Sequence, residues 1–440
     1  MLTKNRRTIG MQNNRSVQGV MINILLTIAI IVSIVLTALI FISAGSQEAP
    51  TQTDQQSQQA SELFRPTNYI VNDKSGKQHM VMHTTNAQYK SIHQYLANSR
   101  MTNPTQRKAT NKQISQLLDK TQTALYHYPD VVPIEYFNSY YSQRVSTHKS
   151  FNFNYVVVPL NHSKKAYFVN TQSKTITTVT ISKIDTTEAW KVAARLPKAL
   201  TVNFKVVNGH VMLNYPKEFK LPVYSYLVNH RDPTTYVSAL LGTTNQLTQT
   251  TENNKKIYTN KYSNQQIIYD PDLETVTFTD NRTTGTLQRS YYNRLNVGFS
   301  QINLLQLDLS DTRFYQSRDN GKDITYRTFV EGLPVYYQSK TGAIHMTLDK
   351  YGNLTSTYSL NELGVPVPNT QEDVTLPKAA DVLAKLQQAG VKSSEYYSIA
   401  PGYEWLANKE NDVSVNMNPT WMIETPTGWM SVNTFLANRE

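Results

Sequence analysis

Three short segments carry the residue types of a penicillin-recognising serine hydrolase, in the right chain order. Ser146-Thr147-His148-Lys149 matches S-x-x-K, Tyr291-Tyr292-Asn293 stands where the middle element would, and Lys340-Thr341-Gly342 matches K-T-G. That chemistry needs the lysine one helical turn from the serine, with K-T-G lying along a strand beside the nucleophile. Neither condition is met. Phe151-Asn152-Phe153-Asn154-Tyr155 alternates as a strand just after the serine, and Lys340-Thr341-Gly342 reads as a hairpin tip. His79, His83 and His93 have ligand-like spacing, but Met80-Val81-Met82 alternates between the first two as a strand does, and no cysteine or acidic cluster accompanies them. Asp270 and Asp272 flank Pro271, which is turn chemistry rather than an acid–base pair. The nucleophile elbow, Walker A, dinucleotide and zincin patterns are absent. The residues therefore predict a binding module with no catalytic residues, no metal and no cofactor.

Such a module must be held somewhere, and Val20 to Ala44 says where. These 25 residues contain no charge, proline or glycine. As a helix they would extend about 37 Å, enough to cross a hydrocarbon core of ~30 Å. Lys4, Arg6, Arg7 and Arg15 precede the stretch without an acidic residue among them, which keeps the first 19 residues in the cytoplasm and places the bulk of the chain outside. The run is longer than the ~7 to 15 apolar residues of a cleaved signal, so an uncleaved single-pass anchor in the cell membrane is expected. Asn23, Thr27, Ser33 and Thr37 fall within an arc of about 120° on that helix. They form a candidate face for a partner's membrane helix, because such side chains hydrogen-bond between helices in lipid. Bonding back to their own helix carbonyls is the plainer alternative.

The chain has no cysteine and a net charge of +11. A disulfide framework and a lipidated N-terminus are excluded, and the charge would draw an external protein to anionic lipid or wall polymers. Nucleic acid is not an expected partner, since no basic run interleaved with aromatics occurs. Twenty-eight tyrosines against 13 phenylalanines suit antiparallel sheets with one wet face. The fold class expected is α+β, with helix-plus-antiparallel-meander domains outside the membrane.

In order, residues 1–19 form the basic tail, 20–44 the anchor, and 45–62 a Gln- and Ser-rich flexible linker. A domain over 63–197 opens with a hairpin at Tyr69–Val71 and His79–His83. Helices follow from Asn86, and from Thr110 presenting Ile114, Leu117, Leu118 and Leu125, then strands near Tyr155, Ala166 and Thr175 and a closing helix at Thr186–Arg195. A middle domain over 198–305 has a hairpin about Asn208-Gly209, a helix from Asp232-Pro233 to Gly242, three strands, and a helix from Ser290 to Leu305. A last domain over 306–440 has a four-strand meander from Asp323 to Tyr358 and a helix Leu376–Ala389 capped by Thr375. Its closing strands lie around Trp405, Val413–Met417, Trp421–Glu424 and Trp429–Val432.

The layout resembles the YycH family. The resemblance rests on the tail, anchor and spacer, the entry Phe64-Arg65-Pro66-Thr67, the turn Glu331-Gly332-Leu333-Pro334-Val335, the segment Gly402-Tyr403-Glu404-Trp405, and the closing Pro419-Thr420-Trp421 and Gly428-Trp429. It implies a three-domain exterior without catalytic function, whose last two domains are similar to each other and to YycI. It also implies a complex with YycI and with the sensor histidine kinase YycG (WalK), adjusting kinase output and cell-wall metabolism. Two other readings stand beside it: a cell-wall polymer binding module, and a PepSY-like inhibitor of a secreted hydrolase.

Overall fold

The computed structural model describes residues 62–439 apart from 83–85, 146–148, 184–190, 192, 194–197, 208, 243–246, 261, 282–285, 306–310, 338–341 and 408–412. The anchor stretch and its face Asn23, Thr27, Ser33 and Thr37 lie outside the described residues. Among the described residues no helix is long and apolar enough to cross a membrane.

The chain first builds a nine-stranded sheet. β1 (Asn68–Asn72) and β2 (Gln78–Val81) form the expected hairpin, followed by α1 (Asn86–Ala97), β3 (Arg100–Lys108), α2 (Asn111–Leu118), β4 (Thr123–Pro133) and α3 (Ile134–Tyr140). Next come β5 (Asn152–Pro159), β6 (Lys165–Asn170), β7 (Thr175–Ser182), β8 (Lys198–Val207) and β9 (His210–Asn214). The order is β3-β7-β6-β5-β4-β1-β2-β8-β9, with every neighbouring pair antiparallel. α2 begins on a capping box in which Thr110 and Gln113 each accept from the other's backbone N–H. It stops at Leu118, so Leu125, expected on this helix, lies in β4 instead. Gln122 takes φ +54°, which no helix continues through.

Two short strands, β10 (Phe219–Leu221) and β11 (Tyr224–His230), precede an inserted unit. α4 (Pro233–Leu241) has Asp232 accepting from the Thr234 N–H, proline at its first position, and Gly242 at φ +83° after its last, as the sequence predicts. β12 (Leu247–Glu252), β13 (Lys255–Asn260), β14 (Gln265–Asp270) and β15 (Thr275–Asp280) follow, then α5 (Tyr291–Leu304), capped by Ser290. β16 (Thr312–Arg318), β17 (Asp323–Val330), β18 (Leu333–Tyr336), β19 (Ile344–Leu348) and β20 (Leu354–Ser359) complete it. The expected four-strand meander is broken: β17 pairs directly with β19, while β18 meets β17 at only two positions. All four residues of β18 are buried, and it finds cover by pairing in parallel with a strand far along the chain.

The last stretch contributes β21 (Asn361–Val367), β22 (Val374–Leu376), α6 (Ala379–Gln388), β23 (Ser398–Ala407), β24 (Ser414–Thr425), β25 (Gly428–Ser431) and α7 (Val432–Ala437). α6 starts three residues later than expected and is not capped by Thr375, which lies in β22 opposite Lys220. Pro377 disfavours helix at the residue before it, so Leu376 stays extended. The two strands expected at Val413–Met417 and Trp421–Glu424 are one, β24, and Val432 opens a helix. β11 pairs with β21 and β24, and β15 with β20. Strand pairing thus crosses both the 197/198 and the 305/306 divisions, with residues 232–360 set between β11 and β21.

The first sheet feeds two cores. Tyr69 and Val71 of β1 join a cluster that runs through α1 and α3 to Leu295, Phe314, Tyr326 and Tyr358. Ile70, on the opposite face, joins Ile114, Leu118, Leu376, Val382 and Trp421. Where β23 runs beside β18, Gly402 leaves no room: a Cβ there would meet the Tyr336 ring and stand 2.9 Å from the Pro334 carbonyl oxygen. Gly402→Ala is predicted to destabilise the folded chain by about 1 to 3 kcal/mol. Chemical denaturation checks it, and an unchanged midpoint would mean that β18 moves aside freely.

Candidate functional site

A cleft of about 960 Å³ opens where β4, the turn after β6, β9, β16, β23 and the β24–β25 hairpin meet. Asp130 projects there from a break in the β4–β5 register between His127 and Val132, where Pro129-Asp130 interrupts an otherwise apolar strand. One Asp130 oxygen accepts from the Val131 N–H at 2.7 Å and from Gln172 Nε2 at 2.6 Å. The other accepts from the Ser317 N–H of β16 at 2.7 Å. Tyr291, at the start of α5, donates its hydroxyl to the Val131 carbonyl at 2.9 Å. Burial pushes the Asp130 carboxyl up to about 6, although the three N–H donors pull the other way.

Glu424 of β24 accepts from Gln316 Nε2 at 2.6 Å and Arg318 Nη2 at 2.7 Å, again binding β16. Below it the Arg327 guanidinium lies between the Tyr315 and Tyr336 rings, 4.9 and 4.4 Å from their centroids. On the opposite wall Asn68 donates to the Gly332 carbonyl at 2.7 Å, and its side-chain oxygen meets His127 Nδ1 at 3.1 Å. Burial lowers the His127 pKa to about 4, so the ring is neutral and Nδ1 carries the proton that Asn68 accepts. Asp130, Glu424, Arg318 and His127 are thus engaged as ties between strands.

The residues that suggested catalysis or metal binding do not assemble. Ser146, His83, Lys340 and Thr341 lie outside the described residues. Tyr291 and Asn293 serve α5, the latter giving its N–H to Ser290. His79 faces Asp73 at 3.9 Å, while His93 stacks on Tyr141 beneath α1. Among the described residues no group of three His, Cys, Asp or Glu is placed to hold a metal ion. Asp270 accepts the N–H groups of Asp272 and Leu273, as a turn aspartate does, and pairs with Lys255 at 2.7 Å. Burial raises its pKa, but these partners outweigh that and hold it below the ordinary value.

The segments that carried the family likeness do converge. Val335 pairs with Tyr403, Tyr403 with Pro419, Gly402 with Thr420, and Thr425 with Gly428. Gly332, at φ +83°, lies so close to the entry segment that a Cβ would stand 3.3 Å from the Thr67 carbonyl oxygen. The family model of the YycH protein N-terminal domain matches residues 21–198, and that of the YycH protein C-terminal domain matches residues 213–440. The chain belongs to the YycH family. The crystal structure of YycH from Bacillus subtilis superposes with a TM-score of 0.67 at 14% identity, covering 85% of this chain and 96% of that one. At that identity the likeness is one of fold. No curated protein sequence matches the chain significantly.

In this YycH family member, Asp130, Ser317 and Glu424 were not singled out by motif. The available signal was an acidic residue inside an apolar strand run, as in Tyr-His-Tyr-Pro-Asp and Trp-Met-Ile-Glu. The Asp130 carboxyl binds its proton more tightly folded (about 6) than at its ordinary 3.8. Its contribution to stability is therefore complete below about pH 4 and falls as pH rises through about 6, by roughly 3 kcal/mol in all. Asp130→Asn should remove that slope. Unfolding free energies from pH 4 to 7 check it: the wild-type-minus-variant difference is predicted to shrink with rising pH, and a widening difference would reverse the assignment.

Proposed function

We propose that the chain is a membrane-anchored regulator, with its N-terminus cytoplasmic and its bulk outside. In this reading it binds a sensor histidine kinase of the YycG/WalK type and modulates its output in cell-wall control. A YycI-like protein acts with it, and no catalytic step is involved. The observation that carries the reading is the match of both YycH domain models, the first beginning at residue 21, inside the apolar stretch. The basic tail and the stretch itself support the topology. A site whose carboxylates are held by donors of neighbouring strands suits a body that binds rather than transforms.

Asn23, Thr27, Ser33 and Thr37 would bond to the kinase's membrane helices at ~0.6 kcal/mol each. A two-state kinase shifts noticeably for ~1 to 3 kcal/mol of differential contact, so the stripe supplies part of it and the outer body the remainder. Replacing Val20–Ala44 by an unrelated poly-Leu span should abolish recovery of the histidine kinase and of a second single-pass protein in a membrane pull-down. Recovery undiminished would move specificity to the outer body. Retention of cell wall alone, with neither protein, would favour a wall-binding module.

A further inference from the structure

The positive charge of this protein is concentrated in one part of the fold. Residues 62–183, which build β1 to β7, carry 15 lysines and arginines against five acidic residues, whereas residues 184–440 carry 24 against 25. The excess has a face. Thr102 of β3 and Lys165 of β6 both lie opposite Thr180 of β7, which puts them on one side of the sheet. Across the register shift in β3, Arg107 lies opposite Ile176, two pairs of residues along β7 from Thr180, so it shares that side, and so does Arg100. This is also the side on which α2 packs, through Ile114 and Leu118. α2 adds Lys112, and Lys120 follows it, with its ammonium 5.5 Å from the centre of the Tyr167 ring.

All five cations, Arg100, Arg107, Lys112, Lys120 and Lys165, are exposed. Their described contacts are that ring and, for Arg107, the Lys108 carbonyl at 3.3 Å. Asp119, exposed at the end of α2, is the carboxylate nearest them in sequence, one negative charge against five positive. Between the cations stand Thr178, Thr180 and Ser182 of β7, short hydroxyl donors beside the edge strand β3, whose outer side is unpaired. Guanidinium, ammonium and hydroxyl donors on one open face suit phosphate oxygens.

We propose that this α2–β3 face docks on the anionic headgroups of the membrane in which the chain is anchored. The inference rests on the anchor reading above for its tether. The 17 residues from 45 to 61 reach at most about 60 Å when extended, and they enter the folded body at Phe64, which packs on α3 of this same unit. That tether keeps the basic face at high effective concentration beside the bilayer, whereas a wall polymer has no such link. Bound headgroups would fix the orientation of the outer body relative to the anchor helix.

The test uses the full chain reconstituted in vesicles of phosphatidylcholine alone or with phosphatidylglycerol, reading lysine acetylation rates at Lys112 and Lys165 by mass spectrometry. With phosphatidylglycerol both should slow by roughly fivefold, the occupancy change for one cation held at an anionic surface. Lys350, outside this face, should not change, and about 0.5 M salt should restore the rates. The quadruple variant Arg100→Glu, Arg107→Glu, Lys112→Glu, Lys165→Glu should lose hydrogen-exchange protection of α2 and β3 on phosphatidylglycerol while unfolding at the wild-type midpoint. Equal acetylation on both vesicles would overturn the proposal. So would protection given by soluble poly(glycerol phosphate) and not by phosphatidylglycerol, which would assign the face to a wall polymer. Should the variant fail to fold, the salt reversal in the wild type still decides. Flotation with phosphatidylcholine vesicles reports the anchor separately, so loss of docking and loss of anchoring are distinguishable.

Discussion

Phe64 is the residue on which the two halves of the fold close. It lies flat on Tyr136 of α3, ring centroids 3.8 Å apart and 6° from parallel, and its other contacts reach Phe314 of β16 at 4.9 Å and Tyr326 of β17 at 6.2 Å. It is 2% exposed. A ring that belongs to no strand thus fills the space between the first sheet and the inserted unit, at the point where the spacer ends. Burial of an aromatic of this size is among the largest single contributions a side chain makes. The polar ties of the cleft, Asp130 to Ser317 and Asn68 to Gly332, have good geometry because this packing brings their backbones together.

The arrangement has a mechanical meaning under the anchoring proposed above. A load arriving through the spacer enters at Leu63 and Phe64, both buried in the core shared by the first sheet and the inserted unit. The next residues, Thr67 and Asn68, contact Gly332, from which β18 runs into the parallel pairing with β23. Within a few residues, then, Leu63 to Asn68 touch the first sheet, the inserted unit and the turn that leads into β18, so under the proposed anchoring a pull on this end would reach both halves of the outer body together.

Much of the local structure was legible because local chemistry decides it. The Asp232-Pro233 start and Gly242 stop of α4, the start of α5 at Ser290 and the turn through Gly209 between β8 and β9 all follow from backbone preferences of the residues present. What was not legible was decided at long range. β18 pairs with β23 some 70 positions away, and Leu376, already held extended by Pro377, finds its partner in Phe219, more than 150 positions back. β3, with Arg-Met-Thr-Asn-Pro-Thr-Gln-Arg-Lys, offers no apolar alternation, and only the partner β7 makes it a strand. The cleft was hidden for the same reason: its carboxylates come from β4 and β24, close in space and almost 300 residues apart in sequence. The short family-like segments were visible as words, but their meeting at one seam belongs to the fold.

The most direct test of this coupling is hydrogen exchange on the full-length chain and on Phe64→Ala, followed peptide by peptide. Removing a buried phenylalanine costs about 3 to 5 kcal/mol. If Phe64 joins the halves, protection should fall together in α3 and β4 on one side and in β16 and β17 on the other, with the loss reaching β18. Loss confined to residues beside position 64, with β16 to β18 protected as in the wild type, would show that the halves hold together without it and would contradict the account.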